Sequence, residues 1–182
     1  CLPTRDTIAV TISAPSTNSN AGSDIEVCGT TTFLTGNTPV IGTGSWTQMA
    51  GAGGATIVTP TSPTTEVTGL TDGVYTFYWT ISNNACPASA DSVNVYVSSP
   101  GSVANAGPDE GVCAQTTITM GATPPSSGTG IWTVVTGPNT PNIVDPTSPA
   151  TIINNLVTGT YTFRWTVSGG PYCPPTSDEA NV

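Results

Sequence analysis

Short stretches in which apolar and polar side chains alternate recur along the whole chain. In the clearest, residues 74–82, large apolar side chains occupy every second position and threonine or tyrosine lies between them. A strand points alternate side chains to opposite faces, so such a stretch can bury one face and expose the other. Glycine, proline, asparagine and aspartate separate the stretches, as is typical of turns. The pattern predicts an all-β protein.

The stretches between residues 16 and 99 predict roughly seven short strands, with turn signals about every ten residues. This spacing favours a β-sandwich over a helical or mixed fold. The predicted strands precede Cys28, cover 32–34, include Trp46, lie within 55–67, and span 74–82 and 92–97.

The sequence repeats itself with an offset of 85 to 87 residues. We divide it into repeat 1, residues 16–99, and repeat 2, residues 100–182, which is cut within its last strand. Residues 1–15 match the end of repeat 1 and are predicted to be the last strand of a preceding repeat, so the chain is interpreted as a piece of a tandem array. The matched segments are 20–24 with 105–109, 42–46 with 128–132, 60–63 with 146–149, and 75–82 with 161–168.

Two features narrow the sandwich to an immunoglobulin-like one. In each repeat a turn leads into a tyrosine, Tyr75 or Tyr161, in the form of a tyrosine corner, and a tryptophan lies on the third strand. Phenylalanine replaces the cysteine that antibody domains carry two residues after that tyrosine. The predicted core aromatics are Trp46, Tyr75, Phe77, Trp79, Trp132, Tyr161, Phe163 and Trp165.

The composition excludes most catalytic chemistry. The chain has no histidine and no lysine, and only two arginines. It therefore lacks an imidazole base, a histidine zinc ligand and a Schiff-base amine, and we expect no enzyme. A formal net charge of -9 opposes binding to nucleic acid or to an anionic membrane surface, and no apolar run is long enough for membrane insertion.

The order of motifs in each repeat resembles the PKD-like, Ig-like repeats of giant Bacteroidota surface proteins, the SprB-type gliding adhesins. The motifs are Asn-Ala-Gly-x-Asp, Val-Cys, Gly-Thr-Gly-x-Trp, Pro-Thr-Ser-Pro, Tyr-Thr-Phe-x-Trp-Thr and Cys-Pro. The resemblance covers essentially the whole chain. It implies type IX secretion, an extracellular place on the bacterial outer surface, and a stalk or filament for surface attachment or gliding.

We therefore expect a structural and adhesive repeat of a long exported adhesin, with neighbouring repeats of the same chain as its partners. One alternative is a carbohydrate-binding or spacer module of a secreted hydrolase, for which the unmatched Tyr96 and Tyr172 are the best surface candidates and a surface polysaccharide the partner. Another is a subunit that assembles with other copies into an extracellular filament or sheath.

Each repeat has one cysteine before its second strand and one after its long strand, and Cys1 belongs to the preceding repeat with a partner outside the chain. Pairing within repeats would close loops of about 60 residues, worth roughly 4 kcal/mol each. In an immunoglobulin topology, however, those two loops lie at opposite ends of the sandwich. Pairing of Cys28 with Cys173 would instead join successive repeats, and free thiols stay open as a third state. The disulfide candidates are Cys28, Cys86, Cys113 and Cys173.

Two further kinds of site have weaker signals. Aspartates recur at matched places and could converge on calcium, although aspartate is also typical of turns and strand starts, which we favour here. The resemblance also implies O-glycosylation at Asp-Ser/Thr-aliphatic patterns, with Thr7 and Ser92 as the acceptors. The recurring acids are Asp24 with Asp109, and Asp6 with Asp91 and Asp178.

Overall fold

The computed structural model describes residues 6–8, 12–51, 53–83 and 86–182. Within them all regular structure is strand, and the all-β prediction is confirmed. Repeat 1 has the seven strands expected of it. They are β1 (Ile25–Cys28), β2 (Thr32–Thr35), β3 (Thr43–Ala50), β4 (Thr56–Ile57), β5 (Thr64–Thr68), β6 (Gly73–Ser82) and β7 (Ser89–Ser98).

Repeat 2 has six strands, one fewer than expected, because residues 110–113 form no counterpart of β1. Gly111 stands there where repeat 1 has Glu26, and glycine weakens a strand. The segment keeps one ladder-like bond, from the Glu110 N–H to the Asn181 carbonyl at 2.8 Å. The strands are β8 (Thr117–Thr119), β9 (Thr129–Thr136), β10 (Asn142–Ile143), β11 (Ile152–Asn154), β12 (Thr162–Ser168) and β13 (Thr176–Asn181).

Each repeat is built from two sheets. In repeat 1 the strand orders are β1-β7-β6-β3 and β2-β5-β4, and in repeat 2 they are β13-β12-β9 and β10-β11-β8. The core of repeat 2 draws side chains from both of its sheets, including Ile118 and Ile153 from one and Phe163 and Trp165 from the other. Two sheets around one shared core make a β-sandwich.

The aromatic side chains expected in the core are buried in both repeats, none more than 2% exposed. On the longest strands a tryptophan of one strand lies directly opposite a tryptophan of the next, Trp46 opposite Trp79 and Trp132 opposite Trp165. The ring centroids are 5.0 and 5.2 Å apart and the rings are tilted, a favourable arrangement for aromatic pairs. These tryptophans therefore serve packing.

The Gly-Thr-Gly-x-Trp motif makes room for the second tryptophan of each pair. A Cβ on Gly44 would lie 2.1 Å from Cζ2 of Trp79, and one on Gly130 would lie 2.0 Å from Cζ2 of Trp165. The indole therefore covers the bare backbone of the neighbouring strand. Only glycine leaves this space, which explains why the motif occurs in both repeats.

The Pro-Thr-Ser-Pro motif supplies hydrogen-bond acceptors to the first tryptophan of each pair. The Trp46 backbone N–H donates to the Pro60 carbonyl at 2.8 Å, and its indole N–H donates to the Pro63 carbonyl at 3.1 Å. Trp132 donates in the same way to Pro146 and Pro149, at 2.8 and 3.3 Å. A buried indole N–H usually needs such a partner, so the loop and the tryptophan form one unit.

The tyrosine corner is present in repeat 2. The Tyr161 hydroxyl accepts a hydrogen bond from the Val157 backbone N–H at 2.9 Å, four residues upstream. The same hydroxyl donates to the side-chain oxygen of Asn139. Both bonds tie the turn that precedes β12 to the core, as in other immunoglobulin-like sandwiches.

The described residues divide into two compact units whose bounds differ slightly from the sequence repeats. The first holds the described residues up to Ile25, Thr31–Gly69 and Val74–Val95. The second holds Glu26–Thr30, Leu70–Gly73 and Tyr96–Val182. Two short segments of repeat 1 therefore pack with the second unit.

The predicted strand over residues 1–15 lies mainly outside the described residues. Its described parts, 6–8 and 12–15, lie in no strand. The repeat boundaries themselves stay a prediction. No helix among the described residues has the length and apolar character needed to cross a membrane.

Candidate functional site

One disulfide links cysteines that belong to different sequence repeats. Cys28 of repeat 1 is bonded to Cys173 of repeat 2, with their Cα atoms 4.9 Å apart. Pairing within repeats is therefore absent, because Cys28 and Cys173 bond to each other, while Cys86 and Cys113 carry free thiols. Cys1 lies outside the described residues. Both bonded cysteines fall in the second compact unit.

Backbone hydrogen bonds hold the segments on either side of this disulfide. The Gly29 N–H donates to the Ser98 carbonyl at 3.0 Å, and the Gly170 N–H donates to the Ser99 carbonyl at 2.9 Å. The Ser99 hydroxyl donates to the Asp72 carboxylate at 2.6 Å. Residues that surround the bond thus come from four segments of the second unit, which we call the staple: 26–30, 70–73, 96–101 and 169–173.

The two tyrosines singled out as surface candidates contact each other within the staple. The rings of Tyr96 and Tyr172 are tilted, with centroids 6.0 Å apart, and both side chains are half-buried. Tyr172 directly precedes Cys173, and Tyr96 lies two residues before Ser98. Half-buried rings that contact each other offer less face to a sugar than a flat exposed pair would. Their packing supports the staple.

Recurring aspartates of each repeat accept hydrogen bonds that the sequence did not reveal. In repeat 1 the Asp24 carboxylate accepts hydrogen bonds from the Asn94 backbone N–H at 2.8 Å and from its side-chain NH₂ at 3.3 Å. The Asp91 carboxylate accepts from the Ala21 N–H at 2.8 Å. These reciprocal bonds join the first segment of the repeat to β7. We call this arrangement the Asp–Asn clamp.

Repeat 2 contains the same Asp–Asn clamp. Asp109 accepts from the Asn181 backbone and side chain at 2.8 and 3.2 Å, and Asp178 accepts from the Ala106 N–H at 2.8 Å. Asn94 and Asn181 were not predicted from the sequence. Their shared offset of 87 residues was the signal that could have found them.

One carboxylate of the clamp in repeat 2, Asp109, makes stability depend on pH. Hydrogen bonds from the Asn181 backbone and side chain lower the pKa of Asp109 below its ordinary value of about 3.9. A carboxylate with a lowered pKa in the folded state stabilises the fold above the pKa of the unfolded chain, and this stabilisation is lost as the pH falls through the folded pKa. Thermal unfolding followed by circular dichroism from about pH 5 to pH 2 should show a falling midpoint.

In Asp109→Asn the fall with decreasing pH should be shallower than in the unchanged protein, since the group no longer titrates. Glu110→Gln removes the same charge one position away and is the matched control. An equal flattening in both variants would contradict the special role of the clamp.

None of the described side chains forms a metal-binding group of three or more acids, cysteines or histidines. The predicted glycosylation acceptors Thr7 and Ser92 are both exposed. The aspartate before Ser92 is Asp91 of the clamp, so that this pattern also has a structural reason. Glycosylation stays a prediction.

Comparison with known proteins supports the domain type. The family model described as K319L-like, PKD domain, matches residues 21–97, which is most of repeat 1. Repeat 1 thus resembles a PKD domain. The solution structure of the PKD domain from KIAA 1837 protein is 28% identical, covers 57% of this chain and 100% of its own, and has a TM-score of 0.41.

Hemolin, an insect immune protein, shares the fold at 11% identity and a TM-score of 0.51. The match covers 91% of this chain and 46% of the hemolin chain, so that the protein spans less than half of that structure. Among curated proteins none matches the chain.

Proposed function

We propose that this protein is a load-bearing repeat segment of a long exported bacterial surface adhesin, a stalk or filament of the SprB type that serves surface attachment or gliding. The single observation that carries the proposal is the Cys28–Cys173 disulfide, which joins successive sequence repeats covalently. A chain whose task is binding a small ligand gains little from such a bond. A chain that transmits tension gains directly.

The disulfide shortens the path that force takes through the chain. Tension that enters before Cys28 passes across the sulfur–sulfur bond to Cys173 and bypasses the residues between them, a sequence separation of 145. Those residues cannot be drawn out into an extended chain while the bond is intact. The disulfide thus limits the stretching of two PKD-like repeats under load.

Three other observations support an exported adhesive stalk. A stable disulfide in a long chain is typical of an oxidising compartment outside the cytoplasm. The net charge of -9 favours solubility over association with nucleic acid or anionic lipid. The domain arrangement of hemolin has implications for homophilic adhesion, and tandem sandwiches of this fold suit that task.

Single-molecule stretching between the two termini tests the proposal. At about 3.5 Å per residue the 145-residue separation hides roughly 500 Å of contour length. The oxidised chain should extend by roughly 500 Å less than the reduced chain or than Cys28→Ser/Cys173→Ser. Cys86→Ser/Cys113→Ser is the matched control and should extend like the oxidised protein. Equal contour lengths with and without the bond would contradict the load-bearing role.

The carbohydrate-binding alternative depends on Tyr96 and Tyr172. Their mutual contact and their place beside Cys173 favour a packing role for both rings. The filament alternative requires contacts between chains. A disulfide between free cysteines of two chains would supply one.

A further inference from the structure

The two free cysteines among the described residues are the repeat equivalents of the two bonded ones. Cys86 matches Cys173 with an offset of 87 residues, and Cys113 matches Cys28 with an offset of 85. Beside the complete staple, Cys86 and Cys113 therefore provide one half of each of two further staples. The halves are complementary, because one is of the Cys28 type and the other of the Cys173 type.

The surroundings of Cys86 reproduce those of Cys173. The Cys173 sulfur lies 3.4 Å from the Ser98 carbonyl oxygen, and the Cys86 sulfur lies 3.7 Å from the carbonyl oxygen of Ser13, the repeat equivalent of Ser98. Cys86 thus lies against the carbonyl groups of Ser13 and Ala14, as Cys173 lies against that of Ser98. The Cys86 side chain is half-buried, as expected of an unpaired thiol at this place.

The chain neighbours of Cys113, Val112 and Ala114, line an open cavity of about 320 Å³ in repeat 2. The rest of its wall comes from Gly111, Gln115, residues 156–161 and Val182. In repeat 1 the equivalent segments are Glu26–Thr30 and Leu70–Gly73, and these pack with the second compact unit. In repeat 1 this surface packs with the second compact unit, whereas in repeat 2 the equivalent surface is open.

We propose that Cys113 of one copy and Cys86 of another form the same disulfide as Cys28 and Cys173, so that each repeat is stapled to the next and separate chains join head to tail. The occupant of the cavity is the segment of another repeat that carries its Cys86-type cysteine. The inference rests on the proposed function and extends it from a single bond to a continuous covalent stitching.

The chemistry needs a disulfide oxidant, such as oxidised glutathione. One cysteine thiolate attacks the oxidant and forms a mixed disulfide with release of one glutathione thiol. The second cysteine then attacks the protein sulfur, forms the protein disulfide and releases the other glutathione thiol. Two thiols are oxidised and one glutathione disulfide is reduced, with two protons passing to the released thiolates.

Two variants of the full chain test the pairing, both with Cys1→Ser to remove the fifth cysteine. Cys86→Ser retains Cys113 as its free thiol, and Cys113→Ser retains Cys86. Mixed in oxidised and reduced glutathione, they should form a dimer that stops at two chains. Because docking aligns the two thiols, this mixed dimer should form roughly tenfold or more faster than either variant dimerises alone.

Peptide mapping without reduction should find Cys113 bonded to Cys86 and the Cys28–Cys173 bond intact. The chain that retains both free cysteines should give a ladder of multiples under the same conditions. Equal rates for mixed and like pairs would overturn the proposal, and so would exchange of Cys113 into the existing staple.

A second measurement separates docking from simple thiol collision. Val157 lines the cavity and is 51% exposed, so Val157→Asp in the Cys113-bearing variant should fold yet slow the mixed dimer to the rate of like pairs. Val144, 55% exposed in the same repeat and outside the cavity wall, gives the matched control Val144→Asp. An equal effect of both variants would contradict the cavity as the docking surface.

These outcomes can be told apart from failure of the proposed function. The stretching experiment depends only on the bond inside one chain. If that bond limits extension but no mixed dimer forms, the single staple stands and the continuous stitching is wrong.

Discussion

Replacing Cys28 and Cys173 together by serine should lower the free energy of unfolding by about 3–5 kcal/mol. A cross-link restricts the unfolded chain, and the restriction grows with the length of the closed loop. The sequence separation of 145 residues places this bond at the upper end of that range. The effect should be largest in the second compact unit, which holds both cysteines.

Urea-induced unfolding followed by tryptophan fluorescence measures this change. Cys86→Ser/Cys113→Ser changes two cysteines that form no disulfide and should shift stability by no more than about 0.5 kcal/mol. Hydrogen exchange should show faster opening of the staple segments in the Cys28→Ser/Cys173→Ser variant alone. A stability loss as small as that of the control would mean that packing, without the covalent bond, already holds the staple.

Gly44→Ala should destabilise repeat 1 by about 3 kcal/mol, an effect as large as many core truncations. The added methyl group would lie 2.1 Å from Cζ2 of Trp79, whose side chain is fully buried. The buried Trp79 ring cannot move away from the added methyl group. Its N–H donates to the Asn37 carbonyl at 3.1 Å, and the backbone of Gly36 closes the space near its five-membered ring.

Gly53→Ala is the control for this substitution. A Cβ at Gly53 meets no atom within 4 Å, so the change should be within about 0.5 kcal/mol of neutral. Both variants are compared by urea-induced unfolding, and near-ultraviolet circular dichroism reports the packing of the Trp46–Trp79 pair. A neutral Gly44→Ala would show that the sheet can move apart to admit a methyl group.

Under the proposed function, a stapled array reconciles two demands on a surface stalk. Individual sandwiches of about eighty residues have limited cores, and a long row of them would extend stepwise if each could unfold under tension. A disulfide between successive repeats removes that extension without adding ionisable chemistry. Stable disulfides are typical of proteins in oxidising compartments.

The strands and the core could be predicted from the sequence because their signals are local. Alternation along 74–82 places Phe77 and Trp79 on one face, and burial of that face determines which side packs inward. The offset between repeats then predicts that Phe163 and Trp165 lie on the same buried face in repeat 2. The missing seventh strand of repeat 2 was less visible, since it depends on whether a short segment with Gly111 still pairs with a neighbouring strand.

The Asp–Asn clamp lay beyond local signals. Asp24 and Asn94 are 70 residues apart, and each by itself reads as an ordinary turn or strand residue. Their bond exists because the first segment of the repeat returns beside its last strand. Repetition marked Asp24 as constrained, and only the tertiary structure showed the constraint to be hydrogen bonding to the backbone and side chain of Asn94.

By itself the sequence determined the all-β class, the tandem repeat, the buried aromatic face and the absence of histidine and lysine chemistry, since each of these follows from residue type and spacing along the chain. The pairing of the cysteines was decided only by the tertiary structure. Bonding requires Cα atoms within about 7 Å, and which loops come that close depends on how sheets and loops fold back in space. At 4.9 Å that condition is met by Cys28 and Cys173.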